Sequence, residues 1–375
     1  MTEKERMSAA LEAGRLDRFP VVVPYVFLLQ CDHWCELTGQ PAWTYHAWLV
    51  QEPAQHVKEY ERFDAQLPFD ILQPQWAPSR EWRESVEVVH EGDKHYFKDR
   101  RTGKLHLLNE DLPHLAAGPN ETQRVFDRAD VDSQVIPTPA EKRLEWGDYD
   151  FIREASRTFG DRKFIMNGVV GTFYQCTHYV GETNLFLMLH EKPDLIEYLS
   201  ARLLERTIEG IRALAAAGDD AIYIDDALTT SDLVSPQFYE RFSLPYVRPM
   251  VEEIHRLGRK AVLIYFGGIA DRLDQIASLG ADSLSFETTM KSYVNDLGEI
   301  AEKIGKRLCL WGNIDPVRVV QDGTDQELRQ AIEEQVAIGR CLGRFIVSTG
   351  SPITPRTPIP RVRRFIDLGR QIGVV

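Results

Sequence analysis

Short apolar runs alternate with longer amphipathic segments along most of the chain. The runs are rich in β-branched residues and are bounded by turn residues, which is typical of strands buried on both faces of a parallel sheet. They lie at Val21–Val26, Phe69–Gln73, Lys163–Asn167, Ala221–Asp225, Ala261–Phe266, Ser283–Glu287, Leu308–Gly312 and Phe345–Thr349. The pattern therefore predicts eight strands.

The segments between the later runs have apolar residues at helical spacing. They are Pro193–Leu214, a helix that begins at Ser235-Pro236, Ile269–Leu279, Leu297–Ile304, Asp325–Cys341 and Pro360–Ile372. Gly218, Gly280, Gly305 and Gly343 follow four of them and predict left-handed C-caps, which glycine adopts at low cost. Because eight strands that alternate with helices can close on themselves, the pattern predicts an α/β fold, a (β/α)8 TIM barrel.

The chain is longer than such a barrel requires. A barrel needs about 250 residues, and this chain has 375. The surplus lies mostly between the second and third strands, so we expect a single domain over residues 1–375 with an insertion at about 77–160. Within it, Ser85–Val89 and His95–Lys98, with glycine turns at Gly92 and Gly103, predict a small β-meander. The polar stretch 109–145 is expected to wrap the outside of the barrel.

The charge balance argues against nucleic acid and membranes as partners. With 44 basic and 57 acidic residues the net charge is -13, which repels phosphate backbones and anionic lipids. No apolar run approaches the ~20 residues of a membrane span, and the start of the chain has no signal-type segment. Five cysteines, an odd number, favour reduced thiols. We therefore expect a cytoplasmic protein.

The candidate active site follows from the barrel, because such enzymes place their chemistry at the C-terminal ends of the strands. The candidates for catalysis are Asp225, Asp226, Tyr265 and Glu287. The candidates for substrate binding are Tyr25, Gln73, Trp76, Asn167, His178, Tyr179, Asn313, Ser351 and Arg356. Phenols, indoles and amides suit a flat organic ligand with a few polar groups, so the expected partner is a small-molecule substrate. Carboxylates suit proton transfer, metal binding or pairing with a cation.

Adjacent strand residues point to opposite sides, so at most one of Asp225 and Asp226 faces the pocket. The other is expected to cap a helix or pair with an arginine. For Glu287 a functional and a structural role are equally compatible with the pattern. His178 fits a loop or supporting residue better than a catalyst.

Three segments resemble the uroporphyrinogen decarboxylase superfamily. They are Gly-Asp-Asp-Ala-Ile-Tyr-Ile-Asp-Asp at 218–226 with Ser-Pro-Gln-Phe-Tyr-Glu-Arg-Phe-Ser-Leu-Pro-Tyr at 235–246, Trp-Gly-Asn-Ile-Asp-Pro at 311–316, and Gly-Ser-Pro-Ile-Thr-Pro-Arg-Thr-Pro at 350–358. The resemblance implies one of two activities. One branch decarboxylates the acetate arms of uroporphyrinogen without a cofactor. The other moves methyl groups between substrates, corrinoid proteins and thiols, usually through zinc. The resemblance also implies a homodimer.

The chain departs from both branches. The decarboxylases carry an arginine-rich segment after strand one, where this chain has Phe-Leu-Leu-Gln-Cys-Asp-His at 27–33, and a histidine where it has Ser351. The zinc methyltransferases carry His-x-Cys-Gly after strand five and a cysteine in the last loop. The corresponding residues here are Ile264, Phe266 and Ser351, and neither isoleucine nor phenylalanine can ligate a metal. Zinc is therefore not expected, and no tightly bound cofactor is predicted.

Three hypotheses follow. In the first, the protein takes a methyl group from a small methylated compound, with aromatic compounds included. A corrinoid (cobalamin) on a partner protein accepts it, while Asp225 or Asp226, Tyr265 and Glu287 bind and polarise the substrate. In the second, it is a cofactor-free decarboxylase or lyase that uses Asp225 or Asp226, with Arg356 holding the substrate carboxylate. In the third, it has lost catalysis and is a partner subunit of a corrinoid protein.

Overall fold

The computed structural model describes residues 1–108, 123–290 and 292–375. Eight parallel strands curl into a barrel with helices outside it, so the predicted TIM barrel is confirmed. The barrel strands are β1 (Val21–Val22), β2 (Ile71–Leu72), β6 (Phe164–Val170), β7 (Ala221–Asp225), β8 (Lys260–Tyr265), β9 (Ser283–Phe286), β10 (Cys309–Trp311) and β11 (Phe345–Ser348). Their order in the barrel is β1-β11-β10-β9-β8-β7-β6-β2. A separate sheet contains β3 (Val86–Glu91), β4 (Lys94–Asp99) and β5 (Leu105–Leu107).

The helices form the outer layer. They are α1 (Glu3–Leu11), α2 (Val26–Asp32), α3 (Trp34–Thr38), α4 (Trp43–Trp48), α5 (Pro53–Gln66), α6 (Arg80–Ser85), α7 (Arg128–Gln134), α8 (Ala140–Trp146), α9 (Asp150–Phe159), α10 (Thr172–Val180), α11 (Glu182–Glu191), α12 (Pro193–Ala217), α13 (Pro236–Phe242), α14 (Leu244–Arg256), α15 (Leu273–Ala277), α16 (Leu297–Ile304), α17 (Asp325–Leu342) and α18 (Ile359–Ile372), with a π-helix at Pro316–Gln321. Within the described ranges, none of them combines the length and the apolar character that crossing a membrane requires.

A buried carboxylate closes the barrel between β1 and β2. The backbone N–H of Asp70 donates to the carbonyl of Val21 at 3.0 Å, and the N–H of Val21 donates to the Asp70 carboxylate at 2.7 Å. Arg6 and Arg18 donate to the same carboxylate at 2.6 and 2.9 Å. The Asp70 side chain is completely buried. One ion cluster thus ties α1, the segment before β1 and the start of β2 together.

The strand register separates the inner and outer faces of the wall. Tyr223, Val262 and Ser283 are partners across β7, β8 and β9, so their side chains point the same way. Tyr25, which follows β1 on the other side of the barrel, contacts the ring of Tyr223 at 5.6 Å between centroids. This side is therefore the lumen. Deeper in the lumen, the buried indole of Trp311 donates to the Ser283 hydroxyl at 2.7 Å.

The first two strands are shorter than predicted. Val21–Val26 and Phe69–Gln73 were expected to be extended, but only two residues of each pair in the sheet. Proline 24 has no N–H to donate, and Tyr25 turns into the left-handed region at φ 55°. The side chain of Gln73, just after β2, accepts a hydrogen bond from the N–H of Val26 at 2.6 Å. Gln73 therefore stabilises the turn that follows β1.

Two helix predictions were also wrong in detail. The segment Ile269–Leu279 is helical only over Leu273–Ala277, and the N–H of Ile269 donates to the side chain of Asn295 at 3.1 Å. Gly305 ends its helix with a right-handed φ of -62°. It is needed for space, since a Cβ atom there would lie 2.6 Å from Leu342. Gly218, Gly280 and Gly343 have the predicted positive φ.

The β-meander is confirmed. Strands β3, β4 and β5 pair antiparallel, and both turn glycines have positive φ. Of the stretch 109–145 that was expected to wrap the barrel, residues 109–122 lie outside the described residues. The remainder contains α7 and α8, which both pack on α12.

An uncharged histidine is buried in the N-terminal helical layer. The ring of His56 stacks between Trp48 and Phe151, with centroid distances of 3.8 and 3.6 Å. Its nitrogens lie 3.2 Å from the Trp48 carbonyl and from the Tyr60 hydroxyl. Burial lowers the pKa of His56 to about 3. The fold therefore requires the neutral ring.

We expect Asp70→Asn to lower the free energy of unfolding by about 3–5 kcal/mol, because it removes the buried charge that two guanidinium groups share. Urea unfolding followed by circular dichroism measures the change. Glu154→Gln is the matched control, since it removes the carboxylate of the surface pair with Arg157, and its effect should be much smaller. Equal losses in the two variants would contradict a closing role for Asp70.

Stability should decrease as the pH falls from about 6.5 towards 3. Unfolded His56 binds a proton in this range, whereas folded His56 does not. The loss from this group alone approaches about 1.4 kcal/mol per pH unit. His56→Phe keeps the aromatic stack and should remove this part of the slope, as measured by urea unfolding at several pH values. An unchanged slope in the variant would show that the acid sensitivity arises elsewhere.

Candidate active site

A carboxylate–phenol pair lies at the C-terminal end of the lumen. The hydroxyl of Tyr25 donates to Asp225 Oδ2 at 2.5 Å. The N–H of Ala227 donates to the other carboxylate oxygen at 3.1 Å. Asp225 is in register with Val170 and Ile264 and points to the same side of the wall as Tyr223. Of the two adjacent aspartates, Asp225 is therefore the one inside the barrel.

Aromatic rings surround this pair. Centroids of Phe27, Tyr223 and Phe266 lie 5.4 to 5.6 Å from the ring of Tyr25. Glycine 168 makes room for them, because a Cβ atom there would lie 2.2 Å from the ring of Tyr223. Asp225 and these rings are half-buried, so a ligand that enters the lumen meets them.

The surroundings raise the pKa of both partners. Burial raises the pKa of Asp225, and the bonds from Tyr25 and Ala227 only partly oppose it. Burial and the neighbouring Asp225 charge raise the pKa of Tyr25 well above its ordinary value. The pair therefore holds a proton that it can give to a ligand in the lumen. The left-handed backbone of Tyr25, at φ 55° and ψ 56°, is strained for a residue with a side chain, and such strain is common at functional sites.

Two other candidates for catalysis lie behind the wall. Asp226 is completely buried and accepts the hydroxyl of Ser243 at 2.6 Å, so its partner is neither an arginine nor a helix that it caps. Burial raises the pKa of Asp226 to about 6. The hydroxyl of Tyr265 lies 2.7 Å from that of Tyr239, and both rings are completely buried between β8 and α13. These groups shape the wall and do not face the lumen.

A second polar cluster joins the ends of β9 and β11. Glu287 accepts the hydroxyl of Ser351 at 2.7 Å and the hydroxyl of Tyr293 at 2.6 Å, so both of its carboxylate oxygens have donors. Its backbone carbonyl accepts Nδ2 of Asn295 at 2.9 Å. Asn313 donates to the Asn295 carbonyl at 2.9 Å and supports this arrangement from below. Glu287 and Ser351 line a cavity of about 810 Å³.

The structure thus brings Glu287, Ser351 and Asn313 together, as their positions at strand ends predicted. Tyr293 and Asn295 complete the cluster but were not predicted. They lie in the irregular loop after β9, where no apolar periodicity marks a functional position.

Three predicted binding residues have structural partners instead of a free face in the lumen. Asn167 shares the side of Ile222, which is the outer side, and donates to Asp219 at 2.8 Å. Tyr179 is buried and accepts a hydrogen bond from Arg206 at 2.5 Å. Gln73 is completely buried, and its Nε2 has no hydrogen-bond partner among the residues described.

Trp76, His178 and Arg356 are exposed. Arg356 lies in the loop after β11. Trp76 and His178 line a cavity of about 480 Å³ beside the lumen, together with Tyr174, Arg143 and Arg206. The two arginines were not predicted, because they lie on α8 and α12 and not at strand ends.

The positions of the zinc ligands in the methyltransferase branch do not fit a metal here. Ile264 is completely buried in the lumen wall, and Phe266 packs on Tyr25. The hydroxyl of Ser351 donates a hydrogen bond to Glu287. In the described ranges, no group of three or more His, Cys, Asp or Glu side chains is arranged to hold a metal ion.

Comparisons with known proteins agree with this architecture. The family model for uroporphyrinogen decarboxylase (URO-D) matches residues 113–372. The uroporphyrinogen decarboxylase of Coxiella burnetii is 25% identical over 359 residues, which cover 90% of this chain and 94% of that protein. The methylcobamide:CoM methyltransferase of Methanosarcina acetivorans is 23% identical over 222 residues, 58% of this chain and 61% of that protein. A solved methyltransferase structure from Methanosarcina mazei has the same fold, with a TM-score of 0.68, 19% identity and 99% coverage of both chains.

Tyr25→Phe should destabilise the protein by about 1–3 kcal/mol near neutral pH, because it leaves the Asp225 carboxylate without its phenol donor. A hydrogen bond to an ionised carboxylate is stronger than one to a neutral acid. The loss should therefore be larger at about pH 8 than at about pH 4, where Asp225 is protonated. Urea unfolding at both pH values tests this.

The control is Tyr198→Phe, which removes the phenol bonded to Asp132 at 2.7 Å on the surface. It should change stability much less at either pH. A loss for Tyr25→Phe that is the same at both pH values would argue against an ionised Asp225 as its partner.

Proposed function

Since the chain belongs to the uroporphyrinogen decarboxylase family, which contains decarboxylases and methyltransferases, we propose that it is an enzyme that removes a methyl group from a small methylated substrate. The observation that supports this most is the Tyr25–Asp225 pair, a protonated group set among aromatic rings. Such a lumen suits a flat organic substrate. The acceptor that we propose is a reduced corrinoid on a partner protein, and we further propose a homodimer, as the resemblance implies.

The proposed step needs one proton from the enzyme. The bond between the methyl carbon and its heteroatom breaks, and its electron pair stays on the heteroatom. The Tyr25–Asp225 pair gives a proton to that heteroatom, which makes it a better leaving group. The electron pair of the new bond to the methyl carbon would come from the reduced corrinoid acceptor. Charge and atoms balance without an oxidant or a reductant.

This role requires no thiolate. Zinc serves the thiol-dependent methyltransferases by holding a sulfur ligand deprotonated. An enzyme that acts only on the methyl donor has no thiol to activate. The proposal is therefore consistent with Ile264 and Phe266 at the positions where a metal would need ligands. Glu287, oriented by Ser351 and Tyr293, is the proposed second polar contact for the substrate.

Decarboxylation of a small acid is the second candidate, because a buried Asp225 can also protonate a carbanion after carbon dioxide leaves. A substrate labelled separately in its methyl and carboxyl groups distinguishes the two reactions. Label in methylcobalamin supports methyl transfer, whereas labelled carbon dioxide supports decarboxylation. Binding of a corrinoid protein with no turnover would favour a non-catalytic partner subunit.

We expect Asp225→Asn and Tyr25→Phe to slow methyl transfer by about 10²–10⁴-fold, because each removes part of the proton donor. The assay follows conversion of cob(I)alamin to methylcobalamin by absorbance, with a panel of methylated phenols, thiols and amines. Asp226→Asn is the matched control, since it changes the neighbouring carboxylate on the outer side of the strand, and it should retain most of the activity.

Two results would contradict this assignment. One is full activity of Asp225→Asn with a donor that the unaltered protein demethylates. The other is a stoichiometric zinc ion in the purified protein whose removal abolishes the reaction.

A further inference from the structure

The cavity of about 480 Å³ beside the lumen has the size of a small-molecule site. Its walls come from the end of β6 and from α8, α10 and α12. Val170, one of its lining residues, is the register partner of Asp225. Tyr174 lines it as well, and the charge of Asp225 contributes, after burial, to raising the pKa of Tyr174. The cavity therefore adjoins the proton donor of the lumen.

A guanidinium group without a carboxylate partner lines this cavity. Arg206 is half-buried and donates to the hydroxyl of Tyr179 and to Oε1 of Gln175, at 2.5 and 2.7 Å. Both acceptors are neutral. Among residues 1–108, 123–290 and 292–375, no carboxylate lies within ion-pair distance of it. In a chain with 57 acidic and 44 basic residues, such a group has positive charge available for a ligand.

A second guanidinium group faces the same space. Arg143 lies 3.6 Å from Asp148, longer than a close ion pair, and its guanidinium is 5.7 Å from the ring centroid of Trp76. The positive potential also affects the pKa of His178 on the cavity wall. Burial lowers the pKa of His178, and the charges of Arg124 and Arg206 lower it further.

The cavity also offers aromatic surface. Trp76 is 42% exposed, so its indole surface is accessible to a ligand in the cavity. The half-buried ring of Tyr174 also lines the cavity. A ligand that satisfies both features is a flat ring with an anionic group at one end.

We propose that this cavity binds a small aromatic acid, with Arg206 and Arg143 holding its carboxylate and Trp76 contacting its ring. The inference rests on the proposed function, since it assigns the class of substrate whose reacting end lies at the Tyr25–Asp225 pair. A carboxylate at Arg206 directs the opposite end of the ring towards Tyr174 and Asp225. The methyl group to be removed is then on a heteroatom at that opposite end.

Isothermal titration calorimetry with 4-methoxybenzoate and with its uncharged counterpart 4-methoxybenzamide tests the site without any methyl transfer. The benzoate should bind at least about tenfold more tightly than the amide, because only the anion forms charge-assisted hydrogen bonds with the arginines. Arg206→Gln should weaken benzoate binding at least about tenfold and leave amide binding nearly unchanged.

Arg202→Gln is the matched control. Arg202 lies one turn earlier on α12, is paired with Glu205 and does not line the cavity. It should bind both compounds as the unaltered protein does. Arg143→Gln gives an independent test if Arg206→Gln does not fold, as judged by thermal unfolding, and should also weaken benzoate binding selectively. Equal binding of benzoate and amide, or equal effects of the Arg202 and Arg206 variants, would overturn the proposal.

The binding test of the anion site and the activity test of the proposed function can fail independently. Selective benzoate binding without methyl transfer to cob(I)alamin would support the anion site and contradict the proposed reaction. Methyl transfer from 4-methoxybenzoate with a rate and an affinity that Arg206→Gln does not change would support the reaction and contradict the anion site.

Discussion

The buried Asp70 cluster is the constraint on which the site depends. The strands β1 and β2 contribute only two residues each to the sheet, so their ladder alone offers few hydrogen bonds. The carboxylate compensates by binding Arg6, Arg18 and the N–H of Val21 where these strands meet. Closure at that point sets where the chain after β1 enters the lumen. Tyr25 can reach Asp225 on the opposite wall only because this closure is in place.

Much of the fold could be predicted from the sequence, because parallel strands buried on both faces leave continuous apolar runs. The later strands match those runs closely, and Asp225, Glu287 and Ser351 do lie at their ends. The prediction failed where side chains compete with backbone periodicity. The helix predicted from Ile269 begins only at Leu273, after Ile269 has bonded to the side chain of Asn295, and Tyr25 leaves the extended region after Pro24. Neither event has a local pattern in the sequence.

The candidate site was predicted less completely than the fold. Alternation along a strand indicates that Asp225 and Asp226 face opposite ways, but only the register shows which one is inside. Tyr293 and Asn295 reach the site from an irregular loop, and Arg143 and Arg206 from helices. Their positions depend on how distant elements pack, and no spacing rule along the chain carries that information. The ends of the strands therefore identify the residues of the inner wall. Residues that reach the site from the outer helices and loops leave no such signal in the sequence.

The hydrogen bond between Ser351 and Glu287 bears on how a zinc site could arise in this lumen. Changing Ser351 to cysteine would not by itself create a metal site, because Ile264 and Phe266 supply no ligands. Each of those two residues is also committed to packing, Ile264 in the lumen wall and Phe266 against Tyr25. A stepwise path between this lumen and a zinc-binding one passes through sequences with neither the packed wall nor a complete metal site. Residues 264, 266 and 351 would therefore have to change together before this lumen could hold a zinc ion.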